Sequence, residues 1–395
     1  MPLFRTSSAT SVGELYALIR DKRDTTRAEV GQLTGLSRTA VSSRVRELTT
    51  RGLVVERDQA PSTGGRPATL LSFNADAGVV LSVAIGRSRT RLAVCNLAAE
   101  TLAAADIDQE PGLGPEDLMP DIVTRLDLLL DDSGRRADPV LGIGLSLPGT
   151  VDPQRGCSID TPVLGGWDGV PLVPYFRELT EAPVVLDNDA NVIALAEWRA
   201  GTGRGIDNLL VVKASSGFGA GIVAGGALQR GATRAAGEFG HNKTAAAAGL
   251  VCRCGDTGCL EAVAGGWALV QALAADGRSV GNLRDVVALA NAGDIVARRL
   301  IRDGGRHVGE VLAAAVNLLN PAALVVAGDI AGAYDIFVAG LRETLYGNAT
   351  ALATRVLQIA PAELGDRAGM VGSAMTVLDE VLGAPAIDAL VTPSR

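Results

Sequence analysis

The sequence predicts two folded units, a winged helix-turn-helix at the N-terminus and a larger α/β domain behind it. Three observations predict this division. The texture changes near residue 74, from polar helical stretches to Gly/Ala/Val-rich strands alternating with helices. Charge divides at the same place: residues 1–74 carry 11 Lys+Arg against 7 Asp+Glu, net +4, and residues 75–395 carry 25 against 37, net −12. At about 150 residues per domain, 395 residues suit two to three domains. The organisation expected is therefore 1–74 and 75–395.

Composition narrows the class further. With 47% hydrophobic and 20% charged residues the chain can bury large cores and is not mostly disordered. Aromatics make up only 3%, so aliphatic side chains carry the packing. Long apolar stretches are interrupted within about 20 residues, and the opening MPLFRTSSAT has no apolar signal region, so a cytoplasmic protein without membrane contact is expected. A basic head on an acidic body predicts that the head alone meets a polyanion. Only three of the 36 basic residues are lysines, Lys22, Lys213 and Lys243, and no function attaches to that preference.

In the head, Val12, Leu15, Leu18 and Ile19 form a helical apolar stripe that ends in the charged run 20–24. Thr26 and Glu29 have the spacing of a capping box for a second helix reaching about Thr34. Gly35 and Leu36 interrupt it, and Ser37 is placed to cap a third helix through about Thr50. Leu33, Leu36, Val41, Val45 and Leu48 are expected to face inward. Arg38, Thr39, Ser42, Ser43 and Arg46 face outward with Arg44 nearby, polar and basic side chains suited to major-groove edges and phosphates. Strands at Leu53–Glu56 and Thr69–Phe73, joined by a turn holding Pro61, Ser62, Gly64, Gly65 and Arg66, complete a winged module. Arg66 beside two glycines is suited to a minor groove. The plain alternative is a three-helix domain docked on its neighbour, with solvated arginines.

In the body, Val79–Ile85 and Arg91–Leu97 read as a hairpin opening a sheet. A helix at Leu118–Leu130, a buried strand at Val140–Leu147 and another at Val184–Leu186 follow, the last delivering Asp187, Asn188 and Asp189 into a helix through Trp198. Leu209–Lys213 and Gly221–Val223 pair around the loop 217–219. A long helix from about Ile295 to Leu319 precedes the strand Leu324–Ala327, and no solenoid-type repeat is evident.

Cysteines are distributed unevenly. Cys95 and Cys157 stand alone and read as plain residues, whereas Cys252, Cys254 and Cys259 fall within eight residues as Cys-x-Cys-Gly-x-x-Gly-Cys. The two glycines let the loop fold back so that three thiolates converge on one ion, which favours metal ligation over a disulfide framework.

Six segments resemble, in order, the motifs of the ROK family: GLSLPGTVD (144–152), LDNDAN (186–191), GFGAGIV (217–223), AGEFGH (236–241), CRCGDTGCLE (252–261) and NLLNPAALVVAG (317–328). That family comprises bacterial sugar kinases and sugar-responsive repressors on a two-lobed, actin-like (ribonuclease H-like) fold. The winged helix-turn-helix in front is the arrangement of its repressor branch.

The resemblance implies a set of site residues. His241 would join Cys252, Cys254 and Cys259 around a tetrahedral, structural zinc ion, since four protein ligands leave no open position. The residues matching Asn188, Asp189, Glu238, His241 and Glu261 hydrogen-bond the hydroxyls of a hexose in the family, with a backbone contact near Gly149. The bland alternative makes these helix caps and surface acids, with Asp189 capping the helix at Ala190. Retention of Asp189, the general base in the family's kinases, favours a neutral sugar over a sugar phosphate. The kinases also place an Asp-x-Gly-Gly-Thr loop after the first strand, where this chain reads Ala84, Ile85, Gly86, Arg87, Ser88, Arg89. Ala327, Gly328 and Asp329 stand where the family has paired glycines. The expectation is a sugar-responsive repressor that has lost its nucleotide pocket. It would act as a homodimer or homotetramer on an inverted repeat of operator DNA, with a monosaccharide effector. An active ATP-dependent sugar kinase, or a repressor controlled by a protein partner, are the alternatives. His307 and Trp167 are expected to be packing residues.

Overall fold

In the computed structural model, residues 10–22, 24–58, 69–159 and 164–392 are described. The chain enters helix α1 (Val12–Lys22) through a reciprocal cap, Ser11 N donating to Glu14 Oε2 and Glu14 N to Ser11 Oγ. Strand β1 (Asp24–Thr26) leads into α2 (Arg27–Thr34), where Thr26 and Glu29 make the capping box that their spacing predicts. Gly35, at φ +70°, closes α2, and Ser37 Oγ accepts from Ala40 N to start α3 (Arg38–Thr50). Strands β2 (Val54–Asp58) and β3 (Thr69–Phe73) form the wing, and β1 pairs with β3 to make a three-stranded sheet. The three-residue β1 is too short to register in a sequence pattern. Leu33 departs from expectation: it is 51% exposed, because the core takes Val30 and Val41 instead. The wing turn, with Pro61, Ser62, Gly64, Gly65 and Arg66, lies outside the described residues.

The body consists of two lobes. The first sheet has strands β4 (Val79–Ile85), β5 (Arg89–Asn96), β6 (Thr101–Asp108), β7 (Val140–Leu147) and, after the short pair β8 (Thr150–Asp152) and β9 (Cys157–Ile159), β10 (Val184–Asn188). Helix α4 (Pro115–Asp132) covers one face, and α5 (Asp189–Ala200) leaves the end of β10. The second sheet has β11 (Leu209–Ala214), β12 (Phe218–Ala224), β13 (Ala227–Gln229), β14 (Ala323–Ala327) and β15 (Gln358–Pro361). Between β13 and β14 lie α6 (Glu261–Ala264), α7 (Gly266–Ala275), α8 (Leu283–Asn291) and α9 (Ile295–Leu319); α10 (Tyr334–Asn348) and α11 (Ala351–Thr354) precede β15. Two C-terminal helices, α12 (Ala368–Val381) and α13 (Ala384–Val391), complete the chain.

Both sheets share one topology. In each, three antiparallel strands in meander order are extended by two parallel ones, giving β6-β5-β4-β7-β10 and β13-β12-β11-β14-β15. This duplication matches the two-lobed, actin-like expectation, although no sequence repeat announces it. Helices α5 and α12 lie between the sheets. A β-carbon on Gly372 of α12 would overlap the carbonyl oxygen of Val192 on α5, so the two backbones touch. Gly372→Ala should therefore lower the thermal unfolding midpoint, by about 1–3 kcal/mol of stability; an unchanged midpoint would mean that the helices have slack.

The winged module is not a separate bead. Leu15, Tyr16, Val45 and Leu48 share one apolar core with Val80 and Cys95 of the first sheet and with Ala374, Leu378 and Ile387 of α12 and α13. Gly13 N donates to Asp388 Oδ1 at 2.8 Å, and Arg51 donates to the carbonyl of Leu390 at 2.9 Å. Among the described residues no helix is long and apolar enough to cross a membrane.

Candidate functional site

A cavity of about 560 Å³ opens between the two sheets, beyond the carboxyl ends of their parallel strands. Gly149, Asn188, Asp189, Glu238, His241 and Glu261, the six residues proposed for a sugar, all line it.

Their side chains are differently placed to act. Asn188 ends β10 and caps α5, its Oδ1 accepting from Ala190 N at 2.8 Å and Asn191 N at 3.2 Å. Its Nδ2 donates to the carbonyl of Gly149 at 3.0 Å. Much of this amide is thus engaged by the protein's own backbone, and the cap that the bland alternative gives to Asp189 belongs to Asn188. Gly149 sits at φ +85°, a conformation that favours glycine. Asp187, which precedes them, is fully buried and holds Arg230 at 2.7 Å rather than facing the cavity.

Asp189 forms an ion pair with Lys213, Oδ2 to Nζ 2.5 Å, with 13% and 19% of the two side chains exposed. Burial works against the Lys213 charge, but Asp189, Asp329 and Glu261 around it prevail and hold its pKa above the usual lysine value. No sequence motif marks Lys213 for a role. The signal was present: a single ammonium inside the apolar run 209–214, in a chain with three lysines.

Glu261 starts α6, is buried, and accepts from Phe218 N at 2.7 Å. A β-carbon on Gly217 would collide with its carboxylate, so that glycine makes room for the acid. Glu238 is raised above the ordinary carboxylate value, first by burial and then by the charges of Asp189 and Glu261, against the opposing pull of His241 and Lys213.

Beside the cavity, ligand atoms of His241, Cys252, Cys254 and Cys259 lie within 4.8 Å of one another, a group able to hold a metal ion. Cys254 Sγ and Cys259 Sγ are 3.7 Å apart, and Cys252 Sγ and His241 Nδ1 3.8 Å. A tetrahedron with bonds of about 2.3 Å has edges of about 3.8 Å, so the donor set fits a thiolate-rich tetrahedral ion. Gly255 and Gly258, at φ +87° and +80°, make the turns that fold the loop back. Leu260 N bonds to the carbonyl of Asn242 at 2.9 Å and Thr244 N to that of Gly258 at 3.0 Å, joining the two halves of the loop.

The turn 86–89 after β4 contributes Arg87 and Ser88 to the cavity lining. Arg87 NH1 and Arg253 NH1 each lie 3.4 Å from Ser216 Oγ, and Arg284 NH2 lies 3.4 Å from Ser88 Oγ. Trp167 is buried with its Nε1 donating to Leu113 O at 2.9 Å, a packing residue in the first lobe as expected. Cys95 and Cys157 are both buried, and burial pushes the Cys95 thiol up to about 12.

On the winged module, Arg38, Thr39, Ser43 and Arg46 are exposed along α3 and Ser42 is half-buried. Arg44 is turned back, its Nε donating to Thr10 O at 2.9 Å and NH1 to Ala40 O at 3.3 Å, which leaves it little freedom to reach a groove.

Comparison with known proteins adds to this geometry. The ROK family profile matches residues 80–380, and a winged helix-turn-helix DNA-binding profile matches residues 13–55. A xylose repressor of Caldicellulosiruptor bescii is 28% identical, covering 93% of this chain and 95% of its own length. The solved structure of a ROK family transcriptional regulator, a homologue of the Escherichia coli MLC protein, superposes with a TM-score of 0.80 at 26% identity, covering 96% of this chain and 98% of its own. A ROK family glucokinase from Streptomyces griseus, solved with glucose and AMPPNP, gives a TM-score of 0.64 at 29% identity over 75% of this chain and 98% of its own.

Proposed function

Since the chain belongs to the ROK family and carries a winged helix-turn-helix in front, we propose that it is a sugar-responsive transcriptional repressor. The effector is a monosaccharide or a derivative of one, held in the cleft by Asp189, Glu238, His241 and Glu261, with Asn188 and Gly149 shaping the floor. Carboxylates and an imidazole suit this work because sugar hydroxyls both donate and accept hydrogen bonds. The Cys3His cluster holds a structural zinc ion that fixes the loop carrying His241 and leading into Glu261.

One observation carries this reading: a continuous mechanical link between cleft and winged module. Asn188 and Asp189 open α5, α5 touches α12 at Gly372, and α12 shares its core with α1, α3 and α13. Effector binding that changes the angle between the lobes therefore repositions the DNA-reading helix. If operator-bound protein prefers the open cleft, effector and DNA antagonise each other reciprocally. Two-fold symmetry makes a dimer on an inverted repeat the simplest assembly.

We read the chain as a regulator without kinase activity. Supporting this, the turn 86–89 lacks the Asp and the Gly-Thr of the kinases' ATP-phosphate loop, and the carboxylate matching the kinases' general base is engaged by Lys213.

The deciding experiment titrates operator-bound protein with monosaccharides and their derivatives. If none changes DNA affinity, and Asp189→Asn behaves as wild type, the sensing role is wrong. The modules are separable by Arg46→Ala. It should weaken operator binding about tenfold or more, ~1–3 kcal/mol, and leave effector affinity unchanged in calorimetry; equal loss of both would contradict an exposed recognition face.

A further inference from the structure

We propose that the cleft contains a subsite for a phosphoryl group, formed by Arg87, Arg253 and Arg284 with the hydroxyls of Ser88 and Ser216, so that the effector is a phosphorylated sugar. This rests on the sensing function above and names its ligand class.

The cations that line the cavity, and Arg253 behind Ser216, differ in their partners. Arg89 is paired with Asp108 at 2.7 Å, Arg91 with Asp366 at 2.7 Å, and Lys213 with Asp189 at 2.5 Å. Arg284 has its carboxylates only at 3.8 and 4.0 Å. Arg87 and Arg253 have no carboxylate within 4.0 Å among the described residues. Arg87 is half-buried, and loss of solvent lowers its pKa without an opposing anion. Arg253 lies stacked on Trp267, 4.7 Å from guanidinium carbon to ring centroid, which aims its edge toward Ser216.

Two guanidinium groups therefore meet at one hydroxyl, each at a long 3.4 Å. A serine oxygen cannot satisfy both forks of donors. The three terminal oxygens of a phosphomonoester can, through short charge-assisted bonds that arginine makes in pairs. Half-buried cations without a partner are costly to the free protein, and a bound anion removes that cost. From sequence alone, the charge on Asp189 disfavours a sugar phosphate. The structure removes this objection, since Lys213 neutralises that carboxylate from within the protein. Arg87, Ser88, Arg284 and Ser216 line the same cavity as Asp189 and Glu238, and its volume of about 560 Å³ accommodates a hexose phosphate.

The test measures binding to the full-length protein by calorimetry and by operator release. The probes are glucose and glucose 6-phosphate, N-acetylglucosamine and its 6-phosphate, xylose and xylose 5-phosphate, inorganic phosphate, and ATP with magnesium. The expected result is that at least one phosphorylated sugar binds tenfold or more tighter than its neutral parent and releases operator. Arg87→Met should bring that affinity down to the neutral sugar's level, and Arg284→Met should weaken it in the same direction. Arg87→Met should not lower the unfolding midpoint of the free protein, which keeps the result interpretable. Equal binding of neutral and phosphorylated sugars, with operator released by the neutral ones, overturns the subsite and leaves sugar sensing intact. Arg87-dependent binding of ATP that exceeds every sugar phosphate overturns the sugar-phosphate assignment in favour of a nucleotide. Operator affinity that no probe alters overturns the sensing function itself.

Discussion

Cys254→Ser is expected to leave the purified protein without its metal and to abolish the response of operator binding to effector. Elemental analysis of the wild type should find about one zinc per chain, and the variant close to none. Without an ion, the loop 241–261 is held by a small apolar cluster of Ala247, Cys252, Cys259, Ala262 and Trp267 and by an exposed Lys243–Asp256 ion pair. Its halves are joined by a few backbone bonds, Leu260 to Asn242 and Thr244 to Gly258 among them, and Val251 and Leu250 are exposed. A bound zinc ion would add stronger ties, because it would draw His241, Cys252, Cys254 and Cys259 to one point. Structural zinc in small domains contributes on the order of 10 kcal/mol of apparent binding free energy at neutral pH, far more than such a loop gains from burial. Glu261 follows Cys259 by two residues, so loss of a bound ion should loosen its bond to Phe218 N. Effector affinity should fall tenfold or more, while operator binding without effector persists, since the winged module lies elsewhere in the fold. A metal-free variant with a normal response would show that the loop is held by protein contacts alone.

Local signals made much of the fold legible. The capping box at Thr26 and Glu29, the strand Val79–Ile85 and the helix Ile295–Leu319 occur within a residue or two of where their patterns place them. Each rests on contacts between neighbours in sequence, so sequence spacing is enough. Three features were hidden for a common reason, because each depends on partners distant in the chain. Strand β1 exists only by pairing with β3, more than forty residues on. Leu33 satisfies a helical apolar pattern, yet the face it occupies meets solvent. Lys213 sits in an apolar strand, and its purpose becomes visible only when β10 places Asp189 beside it. The metal cluster was readable because its glycines and thiols are close in sequence. The arginine subsite was not, because Arg87, Arg253 and Arg284 come from three separate segments.

The pair of Asp189 and Lys213 can be tested for two roles that a single substitution would confuse. Asp189→Ala should destabilise the protein by about 3 kcal/mol, the low end for a buried pair, because it leaves the Lys213 ammonium without a partner in a site only 19% exposed. Loss of effector binding in that variant would then say little, since the cleft itself is perturbed. The double variant Asp189→Asn with Lys213→Met removes both charges and should recover most of the stability, measured by denaturant unfolding. If the costs of Asp189→Asn and Lys213→Met, each measured alone, simply add in the double variant, the ion pair is not coupled and the electrostatic reading of the cleft fails. With stability recovered, effector affinity of the double variant set against that of Lys213→Met alone reports on Asp189. A carboxylate that orients a sugar hydroxyl should be missed by tenfold or more even in the stable double variant. A carboxylate that serves only to neutralise Lys213 should not be missed at all, and affinity would return with stability.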